Sequence, residues 1–117
     1  MLRSLVFVLA LCVSAEAREV YPPMLTGQKL HELCGARDQT KRFSCGYYVM
    51  GAIDTQLNNA ELFGENERRT KLCPPADKTP EELVALVRAY LEQHPDERSK
   101  PAFVLTWDAL RTEFACK

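Results

Sequence analysis

The chain has no excess of charge of either sign, with 15 lysines and arginines against 16 aspartates and glutamates. Proteins that grip nucleic acid usually show a basic excess, so that class is excluded. No apolar run can cross a bilayer. The longest, Leu5 to Val13, is about half of the roughly 20 residues a spanning helix needs. There is no glycine-rich phosphate loop, and no serine sits in the strand-turn-helix setting of a hydrolase elbow. No two cysteines have the close spacing of a structural zinc site. The Asn-x-Ser/Thr sequon is missing, which is compatible with a bacterial origin. Repeats, low-complexity tracts and strand-like alternation are also lacking. These absences leave a helical domain that binds as the leading class and give an enzyme little support.

What is present begins with an address. Met1-Leu2-Arg3 supplies a positive start, Leu5 to Val13 an apolar core, and Ala15-Glu16-Ala17 the small-x-small pattern of signal peptidase. Cys12 follows Leu9-Ala10-Leu11, but the residue before a lipidated cysteine is normally small, so cleavage after Ala17 is the better reading. Residues 1–17 are therefore expected to be a signal peptide, and residues 18–117 the mature domain. Arg3 and Glu16 leave together, so the net charge of −1 is unchanged.

Export changes the meaning of the cysteines. Of the five, Cys12 is lost, and Cys34, Cys45, Cys73 and Cys116 remain. Four cysteines in a small exported domain read as two disulfides in an oxidising compartment, periplasm or cell exterior. A domain of this size buries only ~65% of its unfolded surface, so each bridge matters, by about 2–4 kcal/mol.

The mature chain reads as all-α, a small four-helix domain with two disulfides. Thr26 can cap a first helix bearing Leu30, Leu33 and Cys34, with Gly35 ending it in the left-handed conformation. Ala36 to Phe43 reads as a surface loop, and Ser44 as the cap of a long second helix closed by Gly64. Val49, Met50, Ile53, Leu57 and Ala60 form its apolar stripe. Gly51 within it costs ~1 kcal/mol against alanine, so close contact with another helix is expected there. Thr79, Pro80 and Glu82 spell a capping box for the third helix. Its face is Leu83, Val84, Leu86, Val87, Tyr90 and Leu91, and His94 and Pro95 end it. A fourth helix starts at Pro101 and stacks Phe103, Trp107, Leu110 and Phe114. The short linker favours an antiparallel hairpin that returns Cys116 towards Cys73. The pairing expected is thus Cys34–Cys45 with Cys73–Cys116. The rival joins Cys45 to Cys73 and Cys34 to Cys116.

Candidate chemistry is sparse. His31 and Cys34 lie three apart, as two metal ligands could, but disulfide formation would consume the thiol. His94 reads as a helix cap rather than a base. Asp54 lacks the second carboxylate that general acid-base catalysis needs. No catalytic, cofactor-binding or metal-ligating residue is expected.

Cys45-Gly46-Tyr47, Gly51 and Asp54 resemble the core motif of the Rap/Tai family, although the glycine here follows the cysteine directly. The second half is similar again. It has Cys73-Pro74-Pro75, Thr79 and Leu83, Tyr90-Leu91-Glu92-Gln93-His94-Pro95 and Pro101-Ala102, then Leu110, Phe114 and Cys116. The resemblance covers Leu30 to Cys116. It implies a periplasmic immunity protein of type VI secretion, an α-helical homodimer that binds a cell-wall amidase effector and blocks its groove. A loop tip can enter a cleft, which directs attention to Ala36–Phe43, Glu65–Pro75 and Asp96–Lys100. The middle loop is preferred, because Cys73 anchors it and Glu65, Asn66, Glu67, Arg68 and Arg69 line it with both signs of charge. Tyr47, Tyr48, Phe63, Phe103 and Trp107 are too many for so small a core, which leaves aromatic surface for a homodimer interface. An acid-stress chaperone of the HdeA kind, or an envelope adaptor domain, are the alternative readings. N-terminal sequencing of exported protein is expected to begin at Arg18; retention of Arg3, or a lipid on Cys12, would contradict the export reading.

Overall fold

The computed structural model describes residues 22–58 and 72–117, which fold into four α-helices and one 3-10 turn. The helices are α1 (Gly27–Gly35), α2 (Gln39–Asn58), α3 (Pro80–Gln93) and α4 (Ala102–Phe114). The 3-10 turn, Pro95–Glu97, lies between α3 and α4. Each pair of helices is in contact. The shared core takes Leu30 and Cys34 from α1, and Cys45, Val49 and Ile53 from α2. From α3 come Leu83, Val87 and Leu91, and from α4 chiefly Leu105, Leu110 and Phe114. No strand forms among the described residues; Thr26 with Pro101 and Leu72 with Ala115 make isolated bridges.

Local chemistry explains most helix ends. The Thr26 hydroxyl accepts from the Lys29 N–H, as expected of a cap. At α3 the capping box is complete. The Thr79 hydroxyl accepts from the Glu82 N–H at 3.3 Å, and the Glu82 carboxylate accepts from the Thr79 N–H at 2.8 Å. That backbone donor, followed by the charge of Lys78, holds the Glu82 carboxyl below its ordinary value. The stabilisation is complete above that ordinary value and fades as pH falls through the lowered one.

The second helix departs from expectation. It starts at Gln39, five residues before Ser44. Asp38 is the cap, its carboxylate accepting from the Lys41 N–H at 2.9 Å. An aspartate with free neighbours outcompetes a serine further on, and Ser44 instead donates to the Thr40 carbonyl within the helix. The loop read as Ala36–Phe43 therefore shrinks to three residues, Ala36–Asp38. Gly35 is not left-handed; α1 ends with Ala36 extended and its N–H on the Leu33 carbonyl. The buried stripe of α2 is Cys45, Val49, Ala52, Ile53 and Gln56, while Leu57 turns outward. The Cys34–Cys45 bridge explains this rotation, because it points Cys45 at α1. Among the described residues Gly51 meets no neighbouring helix: a Cβ there would have nothing within 4 Å. Gly64 and Ala60 lie outside the described residues.

On α4 the inward residues are Ala102, Leu105, Thr106, Ala109, Leu110 and Phe114. Phe103 is exposed, contrary to its expected place in the stack, and Trp107 is only half-buried. Small residues facing inward let α4 come close to α1, and Gly27 marks the contact. A methyl at Gly27 would overlap Leu105 Cδ1 and press on the Arg98 carbonyl at 3.1 Å. Gly27→Ala is expected to destabilise the fold by about 1–3 kcal/mol through overpacking. Gly35→Ala, with nothing within 4 Å of its Cβ, should leave stability unchanged or raise it. The urea midpoints of the two variants check this.

Candidate functional site

The five residues expected to contact a partner, Glu65, Asn66, Glu67, Arg68 and Arg69, lie outside the described residues. The two roots of their segment are described, and both rest on α4. On the N-terminal side, α2 ends at Asn58 just past Gln56. Gln56 is buried, and its Nε2 donates to the Phe103 carbonyl at 3.4 Å, at the start of α4. Its Oε1 is buried without a hydrogen-bond partner among the described residues. On the C-terminal side Leu72 bridges to Ala115, and the Cys73 N–H donates to the Phe114 carbonyl at 2.7 Å. The Cys73–Cys116 disulfide then fixes the segment to the end of α4.

The second disulfide, Cys34–Cys45, joins α1 to α2. It settles one chemical question, since a Cys34 sulfur bonded to carbon and sulfur cannot pair with His31 as a metal ligand. No group of three potential metal ligands is assembled among the described residues.

The remaining polar candidates hold helix ends together. His94 Nδ1 donates to the Tyr90 carbonyl at 2.8 Å, and its ring stacks on Tyr90 with centroids 3.9 Å apart. This is the capping role expected of it. The Tyr90 hydroxyl donates to Glu97 at 3.2 Å. Burial, then the bond to Glu97, pushes the Tyr90 phenol up to about 12, so it stays neutral and cannot act as a base. Lys100, bonded to the Glu97 carboxylate, holds that group below its ordinary range. Asp54 is exposed on the outer side of α2, with no carboxylate beside it on the helix surface.

One further feature had no signal in the sequence, and a second was expected in part. Arg98 donates from Nε to the Leu91 carbonyl at 2.7 Å and so caps α3. Apolar side chains also stand in water: Tyr47 at 78% and Phe43 at 56% exposure, with Phe103, Val104 and Leu57 less so. Of the aromatics expected to be left over, Tyr47 and Phe103 are exposed and Tyr48 and Trp107 half-buried. Phe63 lies outside the described residues.

The described residues thus give a disulfide-stapled helical domain with Phe43, Tyr47 and Phe103 exposed on its surface. Comparison with known families then places it. The chain belongs to the family of Rap1a immunity proteins, whose model matches residues 26–116, from the cap of α1 to the last cysteine. No curated protein matches it. Membership makes this an immunity protein, of a family directed against secreted effectors and typically without enzymatic activity. No helix among the described residues is long and apolar enough to cross a membrane.

The two bridges differ in access. Cys34 and Cys45 are buried, whereas Cys73 is exposed and Cys116 half-buried. Thiol exchange needs access to sulfur, so a limiting reductant on the native protein should open Cys73–Cys116 first. Alkylation and mass spectrometry, with the helical circular dichroism retained, check the order; earlier labelling of Cys34 and Cys45 would contradict it.

Proposed function

We propose that this protein is exported through residues 1–17 and neutralises a type VI secretion peptidoglycan amidase in the periplasm. It does so by presenting Glu65, Asn66, Glu67, Arg68 and Arg69 to the amidase groove, and it acts as a homodimer. The family match supports this most, because it spans the whole described fold. Two disulfides agree with an oxidising compartment. The roots of the segment agree with a presenting role. They sit at opposite ends of α4, between Phe103 and Phe114, which is about 17 Å along a helix. Residues 59–71 supply far more chain than that span requires.

Charges of both signs suit a groove that handles the amino and carboxyl groups of a peptide stem. They would also raise the rate of encounter at low salt. The test replaces Glu65, Asn66, Glu67, Arg68 and Arg69 with glycine and serine, confirms the helical signal, and measures binding to an amidase encoded beside the immunity gene. Affinity is expected to fall on the order of 100-fold, as when several central contacts are lost. Unchanged affinity would remove this segment from the interface.

A further inference from the structure

Helix α2 carries two ordered faces. One is the buried stripe through Cys45, Val49, Ala52, Ile53 and Gln56. The other runs Phe43, Tyr47, Met50, Asp54, Leu57, at steps of 4, 3, 4 and 3. That alternation is the seam of two helices packed along their length, and at about 100° per residue it points away from the core. Phe43, Tyr47 and Leu57 on it are exposed and Met50 is half-buried. Gly46 and Gly51 flank the seam on either side. Among the described residues nothing lies within 4 Å of a Cβ at either position, so packing among them requires neither glycine. Each nevertheless costs a helix interior about 1 kcal/mol relative to alanine. Close approach by the backbone of another helix accounts for both.

We propose that this face docks on the same face of a second copy, with the two α2 helices antiparallel about the peptide between Met50 and Gly51. This rests on the homodimer of the functional reading and supplies its face and register. The seam is complementary to its own reverse. Antiparallel reversal sets Met50 against Gly51, so a long flexible side chain meets a gap. It sets Tyr47 against Asp54, so a phenol donates to a carboxylate. Phe43 falls directly against Asn58, one residue from Leu57, which its ring can still reach along the helix, apolar on apolar. A twofold interface requires this self-pairing, in which each residue contacts the one that contacts it. A parallel pair would instead oppose Asp54 to Asp54, placing like charges together. Charge and shape complementarity therefore select a second copy, in one orientation.

Sedimentation of the purified protein at micromolar concentration should give the dimer mass. Tyr47→Glu should give half that mass with an unchanged helical signal, its dimer dissociation constant raised on the order of 100-fold. Mild oxidation should link Met50→Cys into a covalent dimer, because the twofold axis brings position 50 close to its own copy. Phe43→Cys should stay unlinked. Its two copies lie about 22 Å apart along the helix axes, beyond the ~7 Å Cα separation that a disulfide can bridge. A monomeric unmodified protein, a dimer that survives Tyr47→Glu, or linkage through Phe43→Cys in place of Met50→Cys would each overturn the proposal. Amidase binding is read separately. A dimer as described that binds no amidase overturns the functional reading and leaves this interface standing. A monomer that binds amidase overturns this interface and the homodimer, and leaves the amidase target of the functional reading standing.

Discussion

Three helix ends meet at the turn between α3 and α4, and the fold depends on how they satisfy one another. A helix leaves its first N–H groups and last carbonyls without partners, and burying them unpaired is costly. Here the Gly27 and Gln28 N–H groups, at the start of α1, donate to the Lys100 and Arg98 carbonyls. The Ala102 N–H, at the start of α4, donates to the Leu25 carbonyl. The end of α3 is served by His94 on Tyr90 and by the Arg98 side chain on Leu91. Arg98 thus caps one helix with its side chain and another with its backbone. Gly27 follows from this arrangement, since the exchange draws α1 to within a methyl of Leu105. A single close contact sets both the polar pairing and the depth to which Leu105 enters the core.

The opposite pole is held covalently, and the two bridges act differently. Cys34–Cys45 closes a separation of 11 residues, and Cys73–Cys116 one of 43. On loop-closure entropy alone the longer loop stabilises more, by about 1 kcal/mol. Burial works the other way, because Cys34 and Cys45 are core residues whose sulfurs also contribute packing. Two unequal loops can therefore end with similar worth. The shorter bridge orients α2 on α1, and the longer one anchors the segment that leads out of α2 to the end of α4.

Much of this was legible because the signals are local. The capping box at Thr79, the stop at His94 and Pro95, and the cap at Thr26 depend on neighbours within four residues, and each stands as read. The α3 face was read correctly for the same reason, its Leu83, Val87 and Leu91 at ideal spacing. Where the reading failed, a distant partner or a competing local one had decided. Asp38 displaced Ser44 as a cap and brought Gln39 to Phe43 into the helix. The pull of Cys45 towards Cys34 rotated Leu57 outward and took Gln56 in. On α4 the aromatic spacing from Phe103 to Phe114 misled, because close packing against Gly27 favours the face with alanines. Family kinship was legible from the order of Cys-Pro-Pro, Tyr-Leu-x-x-His-Pro and Phe-x-Cys, since a binding domain without a catalytic cluster is identified by its staples and caps.

Functional surface is best sought where a chain departs from its own local rules without an internal reason. Around the turn at Arg98 the departures have such a reason: Gly27 makes room for Leu105, and the Tyr90 hydroxyl donates to Glu97. The departures on α2 have none among the described residues. Among the described residues a Cβ at either mid-helix glycine would touch nothing, Phe43 and Tyr47 are exposed, and the buried Gln56 has one oxygen without a partner. All of them fall on the one helix whose inner face is complete and whose end leads into the charged segment. The interior of the domain is occupied by holding four helices together. The recognition surface we propose, the outer side of α2 and the chain that follows it, coincides with these irregularities.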